Sequence, residues 1–498
     1  MVGKITMFTS ILALFKLKIL VPWLLSMAFG VIVGGTPGLT ATMAVALIVP
    51  ISYYMEPLAG LAMILGVSFT SIFTGDIPAT LLRIPGTPAS GAATLDGYEL
   101  TKQGKGLLAL TIDLLCSAAG GLIGVLLLIL VAPPLAAFAL KFTNFQYFWL
   151  GIFGLSMSAA LSSGKPVYGV LSAALGLIVS TVGIDITTGF PRFTFHNVEL
   201  MGGIGFIPAM VGLFGLSEVL KNVIDAKKLQ SSSVVSVGRV SLWSTVKIIA
   251  KHKVTLLKSA IVGTLVGALP GAGADIAAWV AYGVEKRTSK ESEQFGKGAI
   301  DGVIAPTSAN NAALGGTWIP ALVFGVPGDS ITAIVLGAML MYGLRPGPLI
   351  FQENMDLVKG IFMVAALSQF LLIPVGLIGI KVFGTILKMP RNMVMVIVLI
   401  FSVIGSYAIR NSFFDIYIMI VFGLLGFAFE YLEVPLPPMI LGMILGPMIE
   451  DNLRVGLLKS HGSIAPFIVD PICMTLIVLI VVLFLGGRIL EFFRKSPR

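Results

Sequence analysis

The sequence has 498 residues, of which 56% are hydrophobic and only 11% are charged, and its mean hydropathy is +0.99. A soluble domain carries roughly 25% charged residues and could not bury this much apolar surface, so the composition excludes a soluble globular protein. The net charge of +9 is concentrated in polar connections, as the positive-inside rule predicts, and no basic patch interleaved with aromatic residues indicates nucleic-acid binding.

Long apolar runs recur along the whole chain. Because a helix needs about 20 residues to cross the hydrocarbon layer, these runs and the shorter ones between them predict roughly 10 to 14 membrane segments. The runs are continuous rather than alternating, which excludes a closed β-barrel. The predicted fold class is an all-α polytopic membrane protein, and the clearest runs cover residues 19–33, 107–131, 361–383, 393–406, 416–429 and 474–485.

The first interruption in chain order lies in GVIVGGTPGLTA, which starts at Gly30, and a variant of this pattern, GTLVGALPGAGA, starts at Gly263. Each predicts an apolar helix that is broken at a Pro-Gly pair, at Pro37–Gly38 in the first and at Pro270–Gly271 in the second. The glycine spacing just before each break predicts close helix packing rather than a ligand site.

A second shared feature follows each Pro-Gly break, since IPATLLRIPGTP starts at Ile77 and IPALVFGVPGDS starts at Ile319. In both segments two prolines stand seven residues apart, and glycine follows the second. Proline removes a backbone donor and glycine lets the chain reverse. Each segment therefore predicts a helical hairpin that enters the membrane and turns back part way, at Pro78–Pro85 and at Pro320–Pro327.

Four interruptions in matched pairs predict one shared site. A single proline in a membrane helix is usually a kink, but non-helical backbone at membrane depth is tolerated only where it is buried in protein or lines a wet cavity. Helix N-termini at such a site attract an anion, and the carbonyl ends of helices suit a small cation. These properties are typical of a carrier that couples an anion to cations.

The matched pairs indicate two related units. The predicted boundaries are 1–220 for the first unit, 221–258 for a basic connector with an interfacial helix, 259–390 for the second unit, and 391–498 for C-terminal helices. Residues 53–57 after the first break include no Lys or Arg, whereas residues 285–297 after the second are basic, which favours inverted repeats. The basic lead-in of both units favours the alternative of parallel repeats.

Several motifs together indicate a family: PGLTATMA, IPATLLRIPGTPASGAATLDGYELTKQGKG, GFIPAMVGLFGLSE, GTLVGALPGAGADIA, FGKGAIDGVIAPTSANNAALGG and PPMILGMILGPMIEDNLR. With these motifs the chain resembles the large membrane subunit of tripartite tricarboxylate transporters over residues 30–471. The resemblance implies a multi-pass carrier of the bacterial inner membrane that accepts small carboxylates from a periplasmic binding protein. It also implies a small membrane subunit as partner and a Na⁺ or H⁺ gradient as driving force.

The chain departs from the usual pattern of that family at four positions. Thr307 stands where the family usually has Glu, and Asp275 stands where it usually has Thr. Arg83 replaces a frequent Asn, and Asp76 replaces a small polar residue. A carboxylate has moved within the site region, so the substrate and the coupling ion of other members do not transfer directly.

The candidates for cation coupling are Asp275, Asp76 and Asn310. An unpaired carboxylate in a membrane costs about 2.5 kcal/mol or more, so Asp275 is predicted to bind a cation or a proton, the alternative being a structural pair with Lys297. We predict a Na⁺ site near Asp275 and Asn310 and no other cofactor. Asn310 and Asn311 either bind a carboxylate or a cation, or they link helices.

The substrate site is predicted to use backbone groups of the four interruptions together with Arg83. This residue either clamps a carboxylate through its bidentate guanidinium or snorkels at a loop. The other substrate-binding candidates are Pro37, Gly38, Pro85, Gly86, Thr87, Pro270, Gly271, Asn310, Asn311, Pro327, Gly328, Asp329 and Ser330.

An intramembrane enzyme and a channel-like anion permease are the competing classes. The three histidines lie in polar connections, and the sequence has no HExxH, GxSxG or P-loop pattern, so neither an enzyme nor an ATP motor is predicted. A channel does not require paired hairpins. Saturable and steeply gradient-dependent uptake would distinguish a carrier from a channel.

Overall fold

The structure is a computed structural model, and it describes residues 14–36, 39–161, 166–185, 187–224, 241–386 and 391–494. Nearly all regular structure in these ranges is helical, and the strands in them are one antiparallel pair, β1 (Gly183–Ile184) and β2 (Pro191–Arg192). The predicted all-α class is therefore confirmed. Pro37 and Gly38, predicted at the first break, lie outside the described residues.

Helices are numbered here in chain order. Up to residue 224 they are α1 (Leu17–Gly35), α2 (Ala41–Ser52), α3 (Pro57–Leu82), α4 (Ser90–Lys102), α5 (Gly106–Ala139), α6 (Asn144–Leu161), α7 (Pro166–Ser180), α8 (Val198–Met201), α9 (Phe206–Met210) and α10 (Ser217–Ile224), with a π-helix at Val211–Leu216. From residue 241 they are α11 (Leu242–Lys251), α12 (Lys253–Gly267), α13 (Gly273–Thr288), α14 (Ile300–Phe324), α15 (Ser330–Met341), α16 (Ile350–Glu353), α17 (Met355–Ile386), α18 (Arg391–Arg410), α19 (Phe413–Tyr431), α20 (Leu436–Lys459), α21 (Ala465–Val469) and α22 (Pro471–Arg494), with a 3₁₀ turn at Ser292–Gln294.

Seven helical segments in the described ranges are long and apolar enough to cross a membrane, which confirms a polytopic membrane protein. Four shorter apolar helices accompany them, and the total of 10 to 14 membrane segments stays a prediction. The seven are Leu17–Gly35, Pro57–Leu82, Gly106–Ala139, Phe206–Ile224, Met355–Phe383, Met393–Arg410 and Phe413–Tyr431, and the shorter ones are Ala41–Ser52, Pro166–Ser180, Ser330–Met341 and Pro471–Phe484.

Helices α1 and α2 form a hairpin against α3. Gly30 lies against Thr70, and one turn further along α1 Gly34 lies against Thr74, so closely that any side chain at either glycine would overlap with α3. Helix α1 therefore runs parallel to α3. The last carbonyl of α2 lies beside Gly60 near the start of α3, so α2 returns to the side from which α1 began.

Helices α12 and α13 form a second hairpin rather than one interrupted helix. Lys258 near the start of α12 pairs with Glu285 near the end of α13, with 2.6 Å between Nζ and Oε2, and it also donates to Thr288. In the turn between the helices, Gly271 and Gly273 have positive φ angles of 82° and 59°. Two left-handed glycines reverse the chain here, whereas the sequence predicted one apolar helix that is broken at the Pro-Gly pair.

Close glycine contacts also place α12 parallel to α14. Gly263 lies against Ala309 and Gly267 lies against Ala313, again with no room for a side chain. This matches the contact of α1 with α3. The prediction that the glycine pairs serve helix packing is confirmed.

Helices α3 and α14 end in the same way. Helix α3 continues through Pro78 and α14 continues through Pro320, so each turn follows the end of a long helix rather than the first proline of the pair. Both helices end on a residue with left-handed backbone, Arg83 with φ 61° and Gly325 with φ 69°. Membrane helices tolerate an internal proline where neighbouring helices pack around it, which explains the difference from the predicted hairpin positions.

Helix α5 runs antiparallel to α3. Its first residue, Gly106, contacts Leu81 at the end of α3. Two turns further along α5, Leu114 lies beside Gly376 of α17, and Phe73 of α3 contacts the same glycine. The contacts of α5 therefore move towards the start of α3 as α5 proceeds, which makes the two helices antiparallel.

The same helix runs parallel to α14. Gly120 of α5 lies against Ser308, and Gly124 lies against Ala312 four residues further along both helices. Helices α3 and α14 therefore run in opposite directions, and so do the hairpins packed on them. This arrangement supports inverted repeats, while the repeat boundaries stay a prediction.

A charged cluster outside the predicted membrane segments connects the β1–β2 loop to α20. Asp185 accepts hydrogen bonds from Arg454 at 2.8 and 3.0 Å, and Glu450 accepts from Arg192 and Arg454, each at 2.6 Å. The Arg454 guanidinium and the backbone amide of Thr187 hold the pKa of Asp185 well below its usual range. Asp185 therefore stays ionised at neutral pH and holds the loop against the helix.

Asp185→Asn is expected to lower the melting temperature at neutral pH. Because the pKa of Asp185 is lower in the folded protein than in the unfolded chain, its stabilisation is present above the unfolded value of about 3.9 and shrinks as pH falls through and below that value. The difference in melting temperature between the variant and the wild type should therefore be smaller in acid. Thermal unfolding of the purified protein across pH checks this, with Asp356→Asn, at a fully exposed side chain, as control. An equal deficit at every pH would contradict the assignment.

Candidate functional site

A cavity of about 510 Å³, here called the central cavity, lies where the four Pro-Gly segments meet. Each segment contributes to its lining, so the structure brings together the interruptions that the sequence predicted to share a site. The contributions are Thr40, Ala41 and Thr42 before and in α2, Thr87 and Pro88 between α3 and α4, residues 271–276 from the α12–α13 turn and the start of α13, and Asp329, Ser330 and Ile331 at the start of α15.

Backbone contacts of the α3–α4 and α14–α15 turns fix this arrangement. The amide of Gly86 donates to the carbonyl of Gly75 at 3.1 Å, and the amide of Gly271 donates to the carbonyl of Gly328 at 2.7 Å. A side chain at Gly86 would overlap with the end of α1, and one at Gly328 would overlap with the end of α12. The α3–α4 and α14–α15 turns thus pack against the tips of the two hairpins. Several predicted substrate-binding residues belong to these turns but do not line the cavity: Pro85, Gly86, Pro270, Pro327 and Gly328.

Three helix N-termini open on the central cavity, those of α2, α13 and α15. In α2 the hydroxyl of Thr40 accepts from the amide of Met43 at 3.2 Å. The N-terminus of α13 has no side-chain cap. Free amides and the helix dipole favour an anion at such a position, so the geometry suits a carboxylate.

Among the described residues, the charged side chains that line the cavity are all acidic. They are Asp275, Asp329, Glu218 and Glu430. Lys221 lies beside two of them, with its Nζ 3.1 Å from Glu430 and 3.7 Å from Glu218. The lining charges that Lys221 does not offset oppose the entry of a carboxylate.

Asp275 links the two units across the cavity. Its Oδ1 accepts from the backbone amide of Ala89, in the α3–α4 turn, at 3.1 Å, so its partner is a backbone amide and not Lys297. Beside it, Trp279 of α13 donates to the carbonyl of Pro88 at 3.2 Å. Any cation that binds Asp275 therefore acts on a contact between the units.

Asp329 has a structural task at the start of α15. Its Oδ1 accepts from the amide of Thr332 at 2.8 Å, and its own backbone amide donates to the hydroxyl oxygen of Thr332 at 3.0 Å, and these two bonds form a capping box. Ser330 follows it and also lines the cavity. Asp329 thus orders the helix N-terminus that faces the central cavity.

Arg83 lies outside the cavity lining. Its guanidinium lies 5.8 Å from the centre of the Tyr98 ring, and Lys102 lies over the same ring at 5.5 Å. The structure therefore places Arg83 in packing against α4. This geometry favours the snorkelling alternative over the carboxylate clamp.

Arg83→Gln is expected to change the affinity for a carboxylate by less than about twofold, well below the 1.5 to 3 kcal/mol lost with a direct charged hydrogen bond. Citrate and succinate binding to the purified protein, measured by calorimetry, checks this. Lys102→Gln, which removes the other cation from the Tyr98 ring, is the matched control. A loss of 1.5 kcal/mol or more of binding free energy in Arg83→Gln, without such a loss in Lys102→Gln, would indicate that Arg83 binds the carboxylate directly.

Three predicted residues lie inside helices and outside the cavity lining. Asn310 and Asn311 are buried in α14, where Asn310 Oδ1 and both polar atoms of the Asn311 side chain have no hydrogen-bond partner. Asp76 is buried in α3, and neither of its carboxylate oxygens has a partner. Their roles in substrate or cation binding stay predictions, and the predicted Na⁺ site near Asp275 and Asn310 combines one residue that lines the cavity with one that does not.

Sequence reasoning missed several residues that line the cavity. Thr40 and Thr42 belong to the PGLTATMA motif, and Glu218 ends GFIPAMVGLFGLSE directly after the π-helix, a feature that often marks functional sites. Glu430 directly follows the apolar run 416–429. An acidic side chain at the end of a predicted membrane span is the sequence signal that could have identified it. Among the described residues no group of three or more His, Cys, Asp or Glu could hold a metal ion.

Comparison with known proteins gives a consistent assignment. Residues 20–441 match the family described as "Tripartite tricarboxylate transporter TctA family". An Agrobacterium vitis protein described as an uncharacterized 52.8 kDa protein in the TAR-I ttuC' 3' region is 35% identical over 90% of this chain and 89% of its own length. A second protein of that organism, from the TAR-II ttuC' 3' region, is 37% identical over 43% of this chain and 89% of its own length. No solved structure matches the chain.

Proposed function

Because the chain belongs to the tripartite tricarboxylate transporter TctA family, and is thus a transporter subunit rather than an enzyme, we propose that it imports small di- or tricarboxylates across the bacterial inner membrane. The proposal includes a periplasmic binding protein that delivers the substrate and a small membrane subunit as partners. It also includes coupling to a Na⁺ or H⁺ gradient.

The central cavity is the observation that carries this proposal. Residues from all four Pro-Gly segments line it, and three helix N-termini open on it. Paired hairpins around a chamber of this kind are typical of secondary carriers that bind their substrate near the midplane. A channel-like permease remains the second candidate class and makes no use of such turns.

Cation coupling is supported by the charges of the cavity. Four acidic side chains line it, and an entering carboxylate adds further negative charge. Repulsion in a low-dielectric site makes such binding unfavourable unless cations bind with the substrate. Asp275 is the first candidate because it lines the cavity and contacts the other unit.

An elevator-like movement fits the packing of the turns. In this proposal the two hairpins and the two turns that pack on them move as one body, and a rigid shift of this body against the remaining helices carries the substrate with it. This step rests on analogy with other carriers built from paired hairpins.

The proposal is tested by reconstituting the chain with its small subunit and binding protein in proteoliposomes. We expect saturable uptake of radiolabelled citrate or succinate that requires the binding protein and an inward Na⁺ or H⁺ gradient. Collapsing the gradient with an ionophore should stop accumulation. Linear flux that persists without any gradient would instead support the channel-like alternative.

A further inference from the structure

A second cavity, of about 770 Å³, lies beyond the central cavity along the same helices. At the start of α15 Ser330 lines the central cavity, whereas Leu340 near the end of that helix lines the second one. Along α20 the lining changes in the same order, from Pro437 at the central cavity to Asp451 at the second. At about 1.5 Å per residue, the two cavities are roughly 15 Å apart along α15.

A closely packed apolar layer separates the two cavities. Phe206 of α9 lines the second cavity, and its ring lies so close to Gly337 of α15 that any side chain there would overlap with it. Phe206 packs on a cluster of buried side chains, each of which lies between the two linings in its own segment: Ala209, Leu213, Ala333, Met439 and Ile440. Apolar side chains do not replace the hydration of a carboxylate, so a charged substrate crosses this layer only when the side chains move apart.

Arg345 brings a positive charge to the second cavity, from a turn that is held in place. Just before it, the amide of Leu344 donates to the carbonyl of Met339 at 2.9 Å. Just after it, the amide of Gly347 donates to the carbonyl of Leu322 at 3.1 Å. The Arg345 side chain is exposed, and within the part of the chain that the structure describes it forms no ion pair.

Arg410, at the end of α18, adds hydrogen-bond donors to the same cavity. Its Nε donates to the buried carboxylate of Asp415 at 2.8 Å, and its Nη2 donates to the other oxygen of that group. Glu199 of α8 also interacts with Arg410. Nη1 has no hydrogen bond to any residue in the described ranges, so a guanidinium that Asp415 holds in place still presents free N–H groups.

The charges of the second cavity differ from those of the central one. Its charged lining residues in the described part of the chain are Arg345, Arg410 and Asp451. Because Asp415 offsets Arg410, these charges cancel, whereas the charged side chains described in the central lining are all acidic. A carboxylate therefore meets less repulsion in the second cavity and finds a guanidinium without a partner there.

We propose that the second cavity is a separate binding site for the carboxylate substrate, which occupies it before it enters the central cavity. Arg345 binds a carboxylate group of the substrate, and Nη1 of Arg410 donates a further hydrogen bond. The apolar layer at Phe206 and Gly337 then separates to let the substrate pass. This inference rests on the proposed function, because a path for a carboxylate requires a carrier of carboxylates.

The direction of this path follows from α19. Asp415 near its start pairs with Arg410 at the second cavity, and Glu430 near its end lines the central cavity and pairs with Lys221 at 3.1 Å. Lys221 begins the basic connector 221–258, and basic connections are cytoplasmic by the positive-inside rule. The second cavity is therefore on the periplasmic side, where the binding protein delivers the substrate.

Thiol labelling of the purified full chain tests the site without a transport assay. Leu340 is 52% exposed and both native cysteines are buried, so Leu340→Cys introduces one accessible thiol into the second cavity. We compare the labelling rates of two methanethiosulfonates, an anionic sulfonatoethyl reagent and a cationic trimethylammonium reagent. The ratio of the anionic rate to the cationic rate should be higher at Leu340→Cys than at the fully exposed control Asp356→Cys, and succinate should slow labelling at Leu340→Cys alone.

Two variants in the Leu340→Cys background should shift this ratio in opposite directions. Arg345→Gln should lower it by about threefold or more and abolish protection by succinate, since it removes the unpaired positive charge. Asp451→Asn should raise the ratio, since it removes the acidic side chain of the lining. Both side chains are exposed, so folding should tolerate either change, and a general distortion of the cavity would not reverse the sign.

Uptake by the reconstituted complex tests the place of this site on the path. Arg345→Gln should raise the KM for succinate by about threefold or more with little change in the maximal rate, because the central cavity is unaltered. Labelling of Leu340→Cys with the sulfonatoethyl reagent should block uptake, and labelling of Asp356→Cys should not. Full uptake after labelling at Leu340→Cys would place the cavity off the path and overturn the proposal.

Two labelling results would also overturn it. One is a rate ratio at Leu340→Cys equal to that at Asp356→Cys. The other is protection by phosphatidylglycerol vesicles but not by succinate, which would make the cavity a site for a lipid headgroup. Anion preference and succinate protection in a protein without uptake would leave the second site standing and reject the proposed function, whereas uptake without them would do the reverse.

Discussion

Asp275→Asn is expected to abolish gradient-driven accumulation of the carboxylate while substrate binding remains measurable. The amide side chain is isosteric and keeps an oxygen that can accept from Ala89, so the contact between the units should survive. The negative charge that would hold the coupling cation in the cavity is lost. In proteoliposomes the internal concentration of citrate or succinate should not rise above the external one, while the dissociation constant should change by less than about tenfold, or 1.4 kcal/mol.

The control for this variant is Asp356→Asn, which removes a fully exposed carboxylate and should accumulate substrate like the wild type. Accumulation retained in Asp275→Asn would reject its coupling role. Loss of binding together with accumulation would mean that Asp275 supports the substrate site itself.

Gly271→Ala is expected to destabilise the protein and to weaken carboxylate binding by at least tenfold. Gly271 has φ 82°, a conformation that costs an L-residue about 1 to 2 kcal/mol. A methyl group there would also overlap with the backbone of Ser158 and would lie 2.8 Å from Ser158 Cβ. Relief requires movement of the α12–α13 turn, which lines the cavity and precedes the N-terminus of α13.

A matched control lies in the same hairpin. Gly283 of α13 has no atom within 4 Å of the position of an added Cβ. Gly283→Ala should therefore leave binding unchanged and stabilise the helix by about 1 kcal/mol. Thermal unfolding and calorimetric titration of both variants compare the two positions. If Gly271→Ala had the same stability and carboxylate affinity as Gly283→Ala, the turn would not depend on a left-handed glycine. The prediction that this turn shapes the binding cavity would then be wrong.

Much of the membrane architecture could be predicted from local sequence. Continuous apolar runs are sufficient to indicate spanning helices, because each residue contributes to transfer into lipid independently of its neighbours in space. The Pro-Gly interruptions could be located for a similar reason, since proline and glycine act on the backbone of their own segment. The matched order of these interruptions then indicated that they share a site, and the central cavity brings them together.

The direction of the chain after each interruption could not be predicted in the same way. A Pro-Gly pair is compatible with a kink and with a reversal, and the reversal at Gly271 and Gly273 is held by the ion pair of Lys258 with Glu285 across the hairpin. Likewise Pro78 and Pro320 remain inside helices because neighbouring helices pack around them. These outcomes depend on contacts between segments that are distant in sequence.

The all-α membrane class and the four matched interruptions could be predicted from local sequence, because hydropathy and backbone restriction are properties of each segment. Which groups meet depends on the packing of the helices, which places Glu218 and Glu430 in the cavity lining, leaves Arg83 outside it and buries Asp76 inside α3. The physical reason is that charge effects depend on distance and burial, and both are set by how helices from separate parts of the chain pack together.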